Sequence, residues 1–479
     1  MGALFSNGVL WLLFLALVLY VTVRAVLLSF THDEALSYTV ITGNDFWTTT
    51  ANHHILNTNL MRFCSWIFGH KEFSLRLPNV MAFVLFGYFG IKIIKEHSKG
   101  FLTGLFGFIL LVLNPFLLDF FSIARGYGIS LGLVMVSLYY FLRKNNSTQN
   151  YVYSMLLAYA GSALATVANL NMVNLHLSLL AIIALELLHG FKNGNYRLTK
   201  NSFIAILAFV AVETFFMLYI IKRLLVLKAY GQLYYGGSSG FIRDTVGSQV
   251  FSWQYGGNYS EQFSNWVIYL AIALCLAALV YALLRVKKGY SALHKIAAVL
   301  ALNITAVLIQ HYILGSLFPV DRTALVFLPL FALLLVFFLE DVIQTCRINF
   351  ITLISYAFSM AVIGLFIYNF WRAANLKYTL TWRYDAGTKQ MMKVVAEKIP
   401  ANSQDTIVIA SDWLFEPAIN YYRVAYGYNL VAPANRDGLS RPADFYYSLK
   451  ESMQQVPAGR YNILYKDEVS GAALLSRRQ

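Results

Sequence analysis

Cysteine, proline and charge are all scarce in this chain. The three cysteines, Cys64, Cys275 and Cys346, are odd in number and widely spaced among 479 residues. They contain no C-x-x-C pair and build no disulfide framework. No Walker motif and no His-Glu-x-x-His occurs, and no Gly-x-Gly-x-x-Gly stands between a strand and a helix. Charged residues make up only 13% of the chain and hydrophobic ones 58%, which excludes an ordinary soluble domain. Acidic residues are the scarcer sign, 23 against 37 basic. The resulting net charge of +14 reads as loop topology and contact with anionic lipid, with no nucleic acid partner.

What the chain has in abundance is apolar runs of bilayer-spanning length. Candidate spans cover residues 9–30, 78–95, 101–121, 127–142, 152–168, 172–189, 202–221, 264–284, 296–314, 324–339 and 350–371, about eleven in all. The first lacks a basic leader and an Ala-x-Ala site and is too long for a typical signal sequence, so it reads as a retained span. Asn114-Pro115 is placed to break the third span, and Asn169 and Asn171 leave open one kinked hairpin in place of two spans. The expected class is an all-α polytopic membrane protein.

Short-loop charge sets the orientation. Lys92, Lys95, Lys99, Arg143, Lys144, Lys192, Arg197, Lys200, Arg285, Lys287, Lys288, Lys295 and Arg347 share one side. The opposite short turns hold only Arg125 and Arg322. By the positive-inside rule the first set is cytoplasmic, as is the N-terminus. Asn145-Asn-Ser147 has the form of a glycosylation sequon but falls on that cytoplasmic side, where it carries no meaning.

Three segments then face outward. The first loop, 31–77, includes an amphipathic stretch from Asn52 to Phe68 that suits a helix in the interface plane. The second, 222–263, is rich in glycine and in tyrosine and tryptophan, as in a lid or binding segment. The third is the polar tail, 372–479. There Thr406–Ala410 and Tyr461–Tyr465 read as strands and Asp412 as the cap of a helix through Tyr422, giving a small C-terminal extracytoplasmic α/β domain.

Asp33 and Glu34 stand directly after the first span. Carboxylates are costly near hydrocarbon, so a pair where a helix leaves the bilayer is a candidate functional site. Two adjacent carboxylates without a third ligand nearby are weak evidence for a metal, so a divalent cation is at most an option. Glu186, Glu213, Asn303 and Gln310 lie within spans and read as helix-contact residues.

The first loop resembles a known family. An apolar span, Asp33-Glu34, Asn52-His53-His54-Ile-Leu, and Gly69-His-Lys-Glu72-Phe-Ser-Leu-Arg76-Leu-Pro78 follow in order. Together they look like the membrane glycosyltransferases of the GT-C fold, in the protein O-mannosyltransferase-like group that includes the aminoarabinose transferase acting on lipid A. Ala124-Arg125-Gly-Tyr127 and Pro319-Val-Asp-Arg322 resemble that group too. The likeness covers about residues 1–371, and the tail shows no motif.

The resemblance implies inverting transfer of a sugar from a polyprenyl-phosphate donor, at the outer face of the cell (inner) membrane. The acceptor would be a glycolipid, polysaccharide or protein. It makes Asp33 the general base, with Glu34 as orienter or second acid. Arg125 and Arg322, lone cations in short outward turns, are the candidates for stabilising the leaving phosphate; snorkelling to headgroups is their plain alternative. His53, His54 and His311 are further phosphate candidates. Tyr127 belongs to the supporting set, and Glu72 and Arg76, four apart on one helical face, read as a structural ion pair. A secondary transporter or lipid-carrier flippase is the competing class. It calls for paired Gly/Pro-broken segments in two halves, which this sequence does not show.

Reporter fusions at Gln479 and within 285–295 are expected to give opposite topology signals. Matching signals would move Asp33 to the cytoplasmic side and end the reading.

Overall fold

A computed structural model describes residues 2–144, 148–193, 200–257, 259–286, 291–345, 349–399 and 404–478. The sequon and Arg197, Lys287, Lys288, Cys346 and Arg347 lie outside them. Every expected span is present as helix. Nine helices among the described residues are long and apolar enough to cross a membrane. The third span is instead the bent pair α5 (Phe101–Val112) and α6 (Pro115–Ser122), inclined by 57°. The fourth is the shorter α7 (Gly126–Leu142). The bend follows from chemistry at one site. Asn114 Oδ1 accepts from the Phe116 and Leu117 amides at 3.1 and 3.2 Å, and Pro115, lacking an N–H, starts the new helix.

The remaining helices before the tail are α1 (Gly2–Leu27), α2 (His32–Ile41), α3 (Ile55–Phe68), α4 (Glu72–His97), α8 (Thr148–Ala168), α9 (Val173–Lys192), α10 (Lys200–Ala229), α11 (Gly247–Trp253), α12 (Glu261–Arg285), α13 (Ala292–Leu314), α14 (Phe327–Thr345) and α15 (Asn349–Ala373). The asparagine pair marks a turn between α8 and α9, closed by Asn169 Oδ1 on the Asn171 amide. α4 begins at Glu72, six residues before the expected start, and carries Pro78 inside it. α3 covers most of the stretch expected to lie in the interface plane. Phe63, Trp66, Ile67 and Phe68 are exposed while Asn57, Thr58 and Met61 are buried, so its apolar face is turned outward. The expected loop 222–263 is less irregular than its composition suggests. α10 continues to Ala229, Gly237 pairs with Phe318, and a π-helical turn, Phe241–Val246, leads into α11.

Polar side chains inside the spans find partners on neighbouring helices. On α9, Asn174 exchanges hydrogen bonds with Gln310 of α13, and Ser178 accepts from Asn303. His176 meets Ser162 of α8 at 2.8 Å and Glu213 of α10 at 3.3 Å, while Glu186 pairs with Lys295 at 2.9 Å. In α1, Arg24 is fully buried and pairs with Asp119 of α6 at 2.6 Å. Tyr255 Oη and the Leu380 amide donate to the same carboxylate.

The tail after α15 forms a four-stranded sheet of β1 (Ile409–Ser411), β2 (Phe445–Ser448), β3 (Tyr461–Lys466) and β4 (Ala473–Arg477) in the order β1-β2-β4-β3. β1 and β2 are parallel; the other pairings are antiparallel. Two helices, α16 (Thr388–Lys398) and α17 (Glu416–Ala425), pack beside it. Asp412 does not cap α17. It is drawn away by the Leu449 amide, which donates to its Oδ2 at 2.8 Å. The tail docks where the chain leaves α1, through Tyr421, stacked on Phe30 with centroids 3.8 Å apart, and Tyr422, whose hydroxyl accepts from the Phe30 amide.

Removing one partner of the Arg24–Asp119 pair leaves a buried charge unpaired. Asp119→Leu is expected to cost about 3–5 kcal/mol, and Arg24→Met with Asp119→Leu markedly less. Thermal unfolding in detergent checks this, and a double variant no better than the single would refute it.

Candidate functional site

The N-terminus of α2 sorts its two carboxylates into opposite environments. Glu34 is fully buried and every polar direction is used. Its Oε1 accepts from Arg76 Nε at 2.7 Å and the Ala124 amide at 2.6 Å. Its Oε2 accepts from Arg76 Nη2 at 2.8 Å and the Thr31 amide at 2.9 Å. Asp33, one residue earlier and also buried, is weakly held. Its Oδ1 accepts from Asn52 at 3.4 Å. Its Oδ2 makes no hydrogen bond and lies 3.4 Å from Arg125 Nη2.

Four more expected site residues gather around Asp33. Arg125 is fully buried, so it does not snorkel. Its Nη1 donates to the Asp33 and Asn52 carbonyls and to Ser37 at 2.9–3.1 Å, and its Nη2 donates to Asn52 Oδ1 at 3.2 Å. The fork expected to meet phosphate therefore fixes the loop and Asp33 instead. Arg322 is the cation left facing the carboxylate. It lies 4.3 Å over the Tyr235 ring and 5.4 Å over Trp382, hydrogen-bonds Tyr127 and feels the charge of Asp33. Burial pulls its pKa down, but Tyr127 and Asp33 outweigh it and hold the guanidinium above its ordinary value.

The backbone that aims Arg322 is strained. Asp321 has φ +43°, a region that non-glycine residues seldom occupy. Four bonds hold it there: its amide to Ser248, its carbonyl from Gln249, and its carboxylate from Ser252 and Tyr235.

His54 completes the cluster. Its Nδ1 lies 2.9 Å from the Ala168 carbonyl, its ring stands edge-on to Tyr127 at 4.8 Å, and its Nε2 has no partner. Burial, then the charge of Arg125, push it well below the usual histidine range. Gly126 is required here, because a Cβ would strike both the Ala168 carbonyl and the His54 ring. His53 is lowered to about 4, by burial and then by Arg223.

Three expectations need correction. Glu72 and Arg76 do not pair. Arg76 turns to the fully desolvated Glu34, and Glu72 takes Lys389 at 2.9 Å and Tyr426 Oη at 2.8 Å from the tail. Glu34, with both oxygens engaged, is left the orienting role and not that of a second acid. His311 is held apart from the cluster, with Nδ1 on the Ser316 carbonyl at 2.8 Å and its ring stacked on Phe318.

Nor does the donor set fit a divalent cation. Glu34 is saturated by Arg76 and Asp33 faces guanidinium groups; among the described residues no three His, Cys, Asp or Glu side chains converge.

Two residues at the site escaped the sequence reading. Asp385, from the tail, is buried and accepts from the His32 amide at 2.7 Å. Burial, then the charges of Asp33 and Glu34, raise it well above the usual carboxylate range. It sits in a motifless segment, so no local signal marks it. Arg223, on α10, donates to the Thr50 carbonyl at 3.2 Å. With Lys222 and Lys228 it places positive charge at the end of α10 expected to face outward, against the general bias, and that was a readable anomaly.

The architecture is that of the GT-C fold expected from the resemblance. Among solved structures, two crystal structures of ArnT from Cupriavidus metallidurans share it, one in the apo state and one bound to undecaprenyl phosphate. Each matches at a TM-score of 0.55 over 97% of both chains, with 12% sequence identity. No protein-family model matches the sequence, and no curated protein does. The chain is thus an integral membrane protein of GT-C architecture.

Because the folded His53 binds its proton only near pH 4 and an unfolded histidine near 6.5, the unfolded state binds more protons in between. Stability is then fully present above about pH 6.5 and is lost as pH falls toward 4. His54, also lowered, adds a dependence of the same sign, so His53→Asn should reduce but not abolish the slope of the thermal midpoint between pH 7 and 5; an unchanged slope would show that His53 does not contribute.

Proposed function

We propose that the protein is an inverting membrane glycosyltransferase that moves a sugar from a polyprenyl-phosphate-linked donor to an acceptor at the extracytoplasmic face. The observation that carries this reading is Asp33. It is a buried carboxylate with an unbonded Oδ2, on a rigid helix start, facing a guanidinium that no carboxylate pairs within salt-bridge distance among the described residues. The GT-C architecture shared with a structure bound to undecaprenyl phosphate supports a lipid-linked donor.

In this mechanism the acceptor O–H or N–H donates to Asp33 Oδ2. As its lone pair forms the new bond at the anomeric carbon, the bond from that carbon to the phosphate oxygen breaks on the opposite face. The electron pair leaves with the phosphate, and Asp33 takes the proton. Arg322, already desolvated, meets the charge gathering on the phosphate, where a fixed cation acts strongly. Arg125 and Asn52 hold the Asp33 carboxylate and its loop in register. Neutral His54 donates its Nδ1–H to the Ala168 carbonyl, so its unpartnered Nε2 can only accept, and it suits a sugar or acceptor hydroxyl rather than a phosphate oxygen.

Asp33→Asn keeps the size but cannot take the proton, so transfer from a synthetic polyprenyl-phosphate sugar should drop by about two to four orders of magnitude. Donor binding should hold. Arg322→Ala should weaken donor binding by about 10- to 100-fold, the scale of one charge-assisted hydrogen bond, and Lys should restore it only partly. Wild-type turnover in Asp33→Asn would overturn Asp33 as the base, and absence of transfer by the wild-type protein would favour a transporter.

A further inference from the structure

Outside the Asp33 cluster, one group of side chains is assembled from both ends of the chain and has no part in the chemistry above. Trp47 lies on the 3-10 turn Asp45–Thr49 of the first outward segment. Trp413 lies in the turn after β1. Both approach the guanidinium of Arg436, with their ring centroids 5.4 and 5.7 Å away. Trp413 is 53% exposed and the Arg436 side chain 44%. Arg436 Nε pairs with Glu416 at 3.3 Å, and Asn420 donates to the other Glu416 oxygen. Among the described residues no hydrogen bond engages the two Nη groups. The Trp413 ring also stands edge-on to His32 at 5.7 Å, and His32 Nδ1 is fixed by the Leu414 carbonyl at 2.7 Å. His32 immediately precedes Asp33. The group therefore adjoins the first residue of α2, the helix whose start carries the carboxylate assigned as base.

We propose that Trp47, Trp413 and Arg436 form an acceptor subsite for an acidic sugar unit, bearing either a carboxylate or a phosphate ester. The inference rests on the transferase reading and adds the acceptor's chemical class to it. Exposed indole faces pack against the apolar C–H face of a pyranose ring. A guanidinium lying against aromatic faces keeps its N–H donors on its edge, where they fork onto a carboxylate or phosphate. Glu416 fixes the Nε side of Arg436 and leaves the Nη side for the ligand. Position supports the assignment: Trp413 stands exposed against the ring of His32, the residue before Asp33. The alternative role, a clasp joining residues 31–77 to the tail, gives the unbonded Nη edge of Arg436 no function, and the effect of Arg436→Ala on donor affinity separates the two.

The test uses the full-length protein in lipid nanodiscs, titrated calorimetrically with three oligosaccharides of equal length: a hexuronic acid, a phosphorylated hexosamine and a neutral glucan. One acidic probe is expected to bind about tenfold or more tighter than the neutral one, and which of the two does so identifies the anion. Arg436→Ala should erase that preference and Arg436→Lys restore part of it. Trp413→Ala should weaken all saccharides about tenfold, and Trp413→Phe much less. Affinity for a polyprenyl-phosphate sugar should not change in any of these variants. Equal binding of acidic and neutral probes, or wild-type binding by Arg436→Ala or Trp413→Ala, would overturn the subsite alone. Loss of donor affinity in Arg436→Ala would show a clasp and also overturn it. Failure of the wild-type protein to bind the donor would instead sink the transferase reading.

Discussion

The guanidinium of Arg76 joins four parts of the chain that are far apart in sequence. Two of its donors grip Glu34 side-on, and the others reach the carbonyls of Ala25, Leu28 and Ser29 at 2.8–3.1 Å. Those carbonyls belong to the end of α1 and the residues just after it, where no further turn follows to satisfy them. Glu34 in turn binds the Ala124 amide, at the turn that delivers Arg125. A side chain of α4 thus fixes the exit of α1, the start of α2 and the entry to α7. Each is desolvated, so each depends on the others: a guanidinium without its carboxylate at that depth is an unpaired charge.

That constraint is what lets Asp33 stay under-bonded. Adjacent residues on a helix point in different directions, and with Glu34 turned inward Asp33 is carried toward Arg125 and Arg322. The identical functional group is therefore saturated framework at one position and an under-bonded carboxylate at the next, divided by environment alone. The tail takes part in this division. Asp385 holds the His32 amide, Lys389 and Tyr426 take up Glu72, and Tyr421 stacks on Phe30. It forms a wall of the site.

Most of the fold was legible because bilayer spans announce themselves by length and composition, and because Asn114-Pro115 dictates its bend locally. The neighbourhood of Asp33 was legible for the same reason that makes it costly, since a carboxylate at the end of an apolar run has few structural justifications. What could not be read was pairing. Arg125 stands alone in its turn and so looks free, yet its partners are carbonyls and side chains some 70 to 90 positions earlier. Glu72 and Arg76 have ideal spacing for each other, but a more deeply desolvated carboxylate outcompetes a local one. Asp385 is invisible until the chain folds, since its partner amide lies 353 positions away. Glycine and tyrosine in the second outward segment suggested an irregular loop, whereas the segment contains two helical turns and a bridge to Phe318.

The Arg24–Asp119 pair has a consequence for how the protein is made. Its two members lie 95 positions apart, in the first and third spans, so the ribosome delivers the cation well before the anion. A lone arginine raises the cost of leaving the translocon by about 2.5–3.5 kcal/mol at mid-bilayer, and by less near an end, where it can reach the headgroups. Synthesis order alone therefore leaves the first span with an unpaired cation, Arg24, until the broken third span has been made and supplies Asp119.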